Sequence, residues 1–415
     1  MPLDLDFVRS KFPSLESDWV FFDNGGGSQI LQPVLDRLSE YLLTSNVQHG
    51  ASYSISQLAG ERLRIAQQAM ATLVNAEDPS EIVMGGSTTA LLQMLARCFS
   101  GVLVSGDEII ITNSEHESNI GPWLGLDRVG VKVKFWNFAP DTHQLRLEDL
   151  ISLMGPRTRL VSVTHTSNIF GTINPIREIA DAVHERGALL CVDGVAFAPH
   201  RAIDVRAMDA DFYVFSCYKT FGPHQGLLYG KLSLLKDLPS QNHSLVSANN
   251  IPYKFQPGNV NYELSYGMTG LIDYLNELAG QSGKGTGPAT PQSEDGRASV
   301  LDAFQMIAEH EEVLSAHLLD FLRSKPNVRI LGLDSADRDQ RVSIISFTVD
   351  GVKNSEIVHR VDDHQIGIRF GHFYSKRLTD ALGLPSDEGV VRVSMVHYNT
   401  VEEVERLTKV LEQVF

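Results

Sequence analysis

Short apolar runs alternate with stretches of helical period through the first two thirds of the chain. Asp107–Thr112 (DEIIIT), Arg159–Thr164 (RLVSVT), Ala188–Val192 (ALLCV) and Asp211–Ser216 (DFYVFS) are brief and rich in apolar residues, the pattern of strands buried on both faces. Between the second and third, Ile176, Ile179, Ala180 and Val183 recur at i, i+3, i+4 and i+7, which predicts a helix with one apolar stripe. Asn174 is placed to cap its start, Pro175 suits its first turn and Gly187 its stop. Strand, helix, strand in this rhythm predicts an α/β fold with a mainly parallel sheet covered on both faces. Ligands of such sheets lie beyond the carboxyl ends of the strands, so chemistry is sought there.

After this the pattern changes. Gln281–Ser299 is polar and rich in Gly, Pro and Ser, and reads as a mobile loop or insertion. Beyond it Arg341–Val349 and Val390–Val396 read as strands. Thr400 with Glu403 makes a capping box for a final helix carrying Val401, Val404, Leu407 and Leu411 on one face. The 415 residues are too many for one simple core, and the expected division is fourfold. Residues 1–20 form a segment packing with the small domain, 21–270 a large domain, 271–300 a helix end and polar loop, and 301–415 a smaller α+β domain.

Composition narrows the function classes. At 43% hydrophobic and 21% charged the chain is an ordinary globular protein. Its formal net charge of -16 repels phosphate backbones and argues against a general nucleic-acid binder. Cys98, Cys191 and Cys217 are too few and too scattered for a disulfide framework or a zinc site, and each sits in an apolar stretch. The start has no basic-then-apolar leader pattern, and no run reaches membrane-spanning length. A reducing cytoplasm is the expected compartment.

Six features fall at strand ends or helix starts, or in the small domain. Lys219 follows the buried run Asp211–Ser216 and precedes Gly222-Pro223; burial there lowers an amine's pKa, as imine formation with an aldehyde requires. Ser216-x-x-Lys219 also matches a serine-acylase pattern, but that pattern belongs at a helix start. Asp193 ends another run, where a carboxylate can keep a pyridine nitrogen protonated. Gly85-Gly86-Ser87-Thr88-Thr89 before the apolar helix Ala90–Phe99 makes an anion site. His116 follows DEIIIT, where an imidazole can lie over a planar ring. Asn168 follows the next strand and can donate to a phenolate oxygen. Arg369 and Arg392, in the small domain, are forks for an α-carboxylate. Singly, each has an ordinary explanation as a loop residue, a helix cap or a solvated arginine; together and in this order they point to one site.

With these residues the chain resembles the aminotransferase class V superfamily, close to cysteine desulfurases and selenocysteine lyases, from Phe21-Phe22-Asp23-Asn24 to Tyr398-Asn399-Thr400. The resemblance implies an aspartate-aminotransferase-like fold of type I, with pyridoxal phosphate held as an imine on Lys219. It assigns Ser216, Ser87 and Thr88 to the phosphate, Asp193 to the pyridine nitrogen, His116 to stacking and Asn168 to the phenolate side. Arg392 takes the substrate carboxylate, with Arg369 as a second contact. It also implies a homodimer, in which Asn259 of Gly258-Asn259-Val260-Asn261 is given to the neighbouring subunit's phosphate site.

The departures bear on the reaction. Desulfurases carry a sulfur-accepting cysteine on a small-domain loop, and Tyr374 stands at the matching place in Arg369–Tyr374. Cys217 lies near Lys219 but reads as packed. Tyr218 replaces a histidine often found before the lysine, and its hydroxyl can still reach the phosphate; Ala196 replaces a glutamine or histidine near the phenolate oxygen. The expected activity is therefore a pyridoxal-phosphate-dependent C–S lyase, eliminating the β-substituent of cysteine- or cystine-type amino acids. The alternatives are a class V aminotransferase, a racemase or epimerase, or a desulfurase with another thiol acceptor. From other classes, a catalytically silent relative is disfavoured by the intact lysine, aspartate and arginine set. A nucleotide-dependent dehydrogenase is disfavoured by Gly25-Gly26-Gly27, which lacks the Gly-x-Gly-x-x-Gly spacing.

Overall fold

The computed structural model describes residues 3–281 and 294–415. A short strand, β1 (Val20–Phe21), leads into the central sheet. That sheet comprises β2 (Ile82–Gly85), β3 (Glu108–Thr112), β4 (Lys132–Trp136), β5 (Thr158–Thr164), β6 (Leu189–Asp193), β7 (Phe212–Ser216) and β8 (Gly226–Gly230). Their spatial order is β2-β8-β7-β6-β5-β3-β4, with β8 antiparallel to both neighbours and the remaining pairings parallel. The four runs read as strands are strands, shifted by a residue or less at their starts.

Both faces of this sheet are buried, and for a physical reason visible along each strand. Val161, Val163, Leu190, Val192, Tyr213 and Phe215 point to one apolar layer, while Leu160, Cys191, Phe212 and Val214 point to the other. The helix Ile176–His184 covers the first face with Ile176, Ile179, Ala180 and Val183. Its start differs from expectation: Pro175 occupies the cap position without a side-chain cap, and Asn174 instead donates from Nδ2 to the Thr164 carbonyl at 2.8 Å. Tying β5 to its return loop satisfies a buried carbonyl, which outweighs capping an exposed helix end. Gly187 does end the turn, at φ +70°.

The second unit is an antiparallel sheet of β9 (Val328–Leu331), β10 (Ile344–Val349), β12 (Arg369–Gly371) and β13 (Val390–Ser394), in the order β12-β13-β10-β9. β11 (Ile366–Gly367) pairs with β1, so the chain's beginning is stitched into this unit. Val20 and Phe22 pack with its core, whereas Val8 and Phe12 join the core of the large sheet. The final helix, Val401–Leu411, begins with the Thr400–Glu403 capping box. Within the segment read as a polar loop, residues from Glu294 onward are helical, in Glu294–Arg323; the remainder of that reading, 282–293, lies outside the described residues. Among the described residues no helix is long and apolar enough to cross a membrane.

Candidate active site

A cavity opens at the carboxyl ends of β3, β5, β6 and β7, and the order of those strands fixes what faces it. It is lined by Ser87, Thr88, His116, Asn168, Asp193, Ser216, Tyr218 and Lys219, eight residues read from the sequence, and by Thr89, Ser118, Thr164, Thr166, Val195 and Ala196. It continues into a vestibule of about 510 Å³ that adds Gly25, Gly26, Arg369, Phe373, Tyr374, Asp387 and Arg392. Asn259 lies elsewhere, in a separate cavity with His49 and Tyr262.

The helix Thr88–Ser100 aims its N-terminus into this cavity. Ser87 caps it, accepting from the Ala90 N–H at 3.1 Å. Thr88 Oγ1 and Ser216 Oγ lie 2.7 Å apart, and Thr89 and Ser118 make a second hydroxyl pair at 2.7 Å. A Cβ on Gly226 would come within 2.5 Å of the Ser87 carbonyl carbon, so only glycine lets β8 run so close beneath the helix start. Free N–H groups, hydroxyls and the positive end of the helix make an anion cradle.

Asp193 ends β6 fully enclosed, with Oδ1 accepting from the Val195 N–H at 2.9 Å. Burial pushes its carboxyl up to about 6, against the stabilising pull of that bond and of Lys219. Lys219 is buried, and its ammonium is lowered to about 8 by burial first and Arg392 second, opposed by Asp193 and Asp23.

His116 is held as a neutral ring. Its Nδ1 accepts from the Ser118 N–H at 3.1 Å, which leaves the proton on Nε2. Burial, then the nearby charges of Lys219 and Arg392, lower it to about 4. Its loop is fixed by a residue the sequence reading did not single out. Glu115, completely buried, accepts from Thr112 Oγ1 at 2.6 Å, the Thr164 N–H at 2.7 Å and Asn119 Nδ2 at 2.8 Å. Desolvation raises it to about 8, against the pull of those three donors.

Arg392 and Arg369 face each other across β13 and β12, an unfavourable like-charge pair. Asp23 relieves it, with Oδ1 2.8 Å from Arg392 and Oδ2 3.7 Å from Arg369. The segment after β1 lies along β13, Gly25 N–H donating to Ser394 Oγ at 2.7 Å, and this carries Asp23 into place. No local spacing signals such a pair, since its members are 369 positions apart. Arg392 also donates to the Asn168 carbonyl at 3.2 Å and lies 3.8 Å over the Phe373 ring. Asn168 lines the cavity, but its amide is engaged: Nδ2 donates to the Phe373 carbonyl at 3.0 Å and Oδ1 accepts from Ser375. Tyr374 is 64% exposed at the vestibule, its ring 5.3 Å from that of His116. Tyr218 stacks on His224 at 4.7 Å.

All three cysteines are free and buried, and no described cysteine lines the cavity or its vestibule. Burial pushes the Cys217 thiol up to about 12, which removes thiolate character at neutral pH.

The family model for aminotransferase class-V matches residues 20–283 and 301–407. The chain belongs to that family. It is 44% identical to the aminotransferase-like protein FGM3 of Gibberella zeae, over 99% of this chain and 98% of that one. It is 34% identical to the cysteine desulfurase-like protein ustD of Aspergillus flavus, over 99% and 91%. Among solved structures, the cysteine desulfurase CsdA of Escherichia coli superimposes with a TM-score of 0.82 at 25% identity, covering 100% of this chain and 98% of that one. An apo cysteine desulfurase from Thermococcus onnurineus gives 0.85 at 26%, with the same coverage. This class-V chain therefore has the type I fold of pyridoxal-phosphate-dependent enzymes and is an enzyme of that kind, a lyase or a transferase.

Proposed function

We propose that the chain binds pyridoxal phosphate on Lys219 and eliminates the β-substituent of a cysteine- or cystine-type amino acid. The observation that carries this is a buried amine, lowered to about 8, in a cavity that no described cysteine lines. The residues suit the cofactor. A hydroxyl-lined helix start meets a phosphate, a buried carboxylate meets a ring nitrogen, and a buried Thr166 hydroxyl lacks any protein partner.

When bound, pyridoxal phosphate supplies an electron sink for negative charge at the α-carbon of an amino acid. Ser87, Thr88 and Ser216 would hold the phosphate, with Tyr218 beside them. Asp193 would keep a proton on the ring nitrogen, and His116 would pack against the ring as a neutral imidazole. Arg392 grips the substrate carboxylate, and this orientation aligns the α-C–H bond with Lys219 Nζ, which takes the proton and returns one. Arg369 is a second, more exposed contact. Tyr374, read as standing where desulfurases carry their cysteine, offers no sulfur acceptor, so the Cβ–S bond would break with its electron pair on sulfur, which would leave protonated as sulfide or persulfide.

The same reading includes a homodimer in which Asn259 serves the neighbouring copy. Leu42, Leu43, Tyr53, Ile55 and Leu58 are exposed on neighbouring helical segments and support it.

The test is to load the protein with pyridoxal phosphate, supply L-cysteine and then L-cystine, and identify the three-carbon product. Pyruvate supports elimination. Alanine sinks it in favour of desulfuration with another acceptor, and amino-group transfer to an added keto acid sinks it in favour of an aminotransferase.

A further inference from the structure

The loop after β12 presents one large aromatic ring to the Lys219 vestibule. Tyr374 lines that vestibule and is 64% exposed. The neighbouring aromatic rings are engaged: Arg392 lies 3.8 Å over Phe373, Tyr218 stacks on His224, and Phe370 meets His359 edge-on. His116 and His372, which also line the vestibule, have ring centres 5.3 and 6.2 Å from that of Tyr374. The three rings make an aromatic corner with Tyr374 as its open side.

A single exposed tyrosine on an unconstrained loop is ordinary. This one is held at a conformational cost. Phe373 and Tyr374 are consecutive non-glycine residues in the left-handed region, at φ +49° and +58°. Contacts from the large domain keep them there. Asn168 Nδ2 donates to the Phe373 carbonyl at 3.0 Å, and Ser375 Oγ donates back to Asn168 Oδ1 at 2.8 Å. The Glu117 N–H donates to the Tyr374 carbonyl at 2.8 Å, and the Tyr374 N–H donates to His372 Nδ1 at 3.1 Å. The loop backbone is fixed on both sides of the ring, and a wall set before binding costs a ligand little ordering.

The space beside this wall is large. At about 510 Å³ the vestibule falls in the range, about 300–1,000 Å³, of cavities that take ligands much bigger than cysteine. Arg392 and Lys219 border the same space as Tyr374, so an amino acid held by its carboxylate at Arg392 has its side chain within reach of the corner. A thiol leaves that space unfilled. An aromatic group fills it and gains ring-to-ring attraction beyond the area it buries.

We propose that Tyr374 is a specificity-determining wall that packs against an aromatic group at the end of the substrate's side chain. The inference rests on the elimination reading above and narrows it: the substrates are then aromatic thioethers of cysteine.

The experiment titrates the pyridoxal-phosphate-loaded protein with two amino acids that have no thiol to lose. One is L-norvaline; the other is the analogue of S-benzyl-L-cysteine with CH₂ in place of sulfur. Calorimetry reads both affinities in the wild type, Tyr374→Phe and Tyr374→Ala. The wild type and Tyr374→Phe prefer the benzyl analogue. Tyr374→Ala binds it about tenfold more weakly and binds L-norvaline as the wild type does. A preference unchanged in Tyr374→Ala, or lost equally in Tyr374→Phe, overturns the inference. S-Benzyl-L-cysteine itself, with water, is expected to give pyruvate, ammonia and phenylmethanethiol. A Tyr374-dependent preference without pyruvate overturns the elimination reading alone, and pyruvate without that preference overturns this inference alone.

Discussion

Asp23 and Arg392 meet at 2.8 Å although 369 positions separate them, and the contact holds a buried guanidinium in the wall of the Lys219 vestibule. The carboxylate also faces Arg369, so one acidic side chain balances two arginines that the β12–β13 register forces together. This balance reaches the amine: Arg392 lowers the Lys219 ammonium and Asp23 raises it. Two charged groups from opposite ends of the chain therefore act on one buried amine, and the predictions begin there.

Capture of pyridoxal phosphate by the apo-protein requires the free amine of Lys219. Its rate is expected to rise with pH and level off above about 8. Arg392→Ala moves that midpoint up and Asp23→Asn moves it down. Stopped-flow absorbance measures both, and shifts of the same sign would show that the two charges do not act on this amine.

Lys219→Ala is expected to abolish the visible band of the cofactor-loaded protein while leaving the fold intact by circular dichroism. A visible band of wild-type strength in that variant would assign the attachment to another lysine.

Arg392→Ala removes the proposed carboxylate fork. A lost charge-assisted bond of about 2 kcal/mol corresponds to roughly 30-fold weaker amino-acid binding. Titration of the loaded variant with substrate reads this directly; unaltered affinity would place the carboxylate elsewhere.

Acid is expected to destabilise the apo-protein. Burial lowers His116, His143, His165 and His397 below the ordinary 6.5, so on acidification from about pH 6.5 the unfolded chain takes up protons that the folded chain refuses. Their stabilisation is complete above 6.5 and is lost as pH falls toward the folded values. Glu115 and Asp193, raised to about 8 and about 6, act in the opposite sense, being most favourable at low pH and losing their contribution as pH rises. Four imidazoles against two carboxyls leave a net loss between about pH 6.5 and 4.5, at about 1.4 kcal/mol per pH unit for each uncompensated proton. Melting temperatures that rise on acidification over that window would contradict it.

The amino-acid order alone determined the α/β core and the positions where its strands release the chain. Runs such as RLVSVT and DFYVFS are apolar on both faces, and a strand with two apolar faces is stable only between two covering layers. Lys219, Asp193 and His116 drew attention because each follows such a run, and Ser87 because it opens an apolar helix, places where local order already limits the environment. Asp23, Glu115 and Thr166 were not. An ion pair 369 positions long, a carboxyl raised by complete burial and a hydroxyl without a partner have no local signature. Asn174 and Asn168 show the same limit: local rules offered a helix cap and a free donor, and buried carbonyls of Thr164 and Phe373 claimed both amides. Local pattern decides which backbone forms because the hydrophobic period acts over a few residues. Which polar groups end up paired, charged or waiting for a ligand is decided by packing, because desolvation depends on everything that surrounds them.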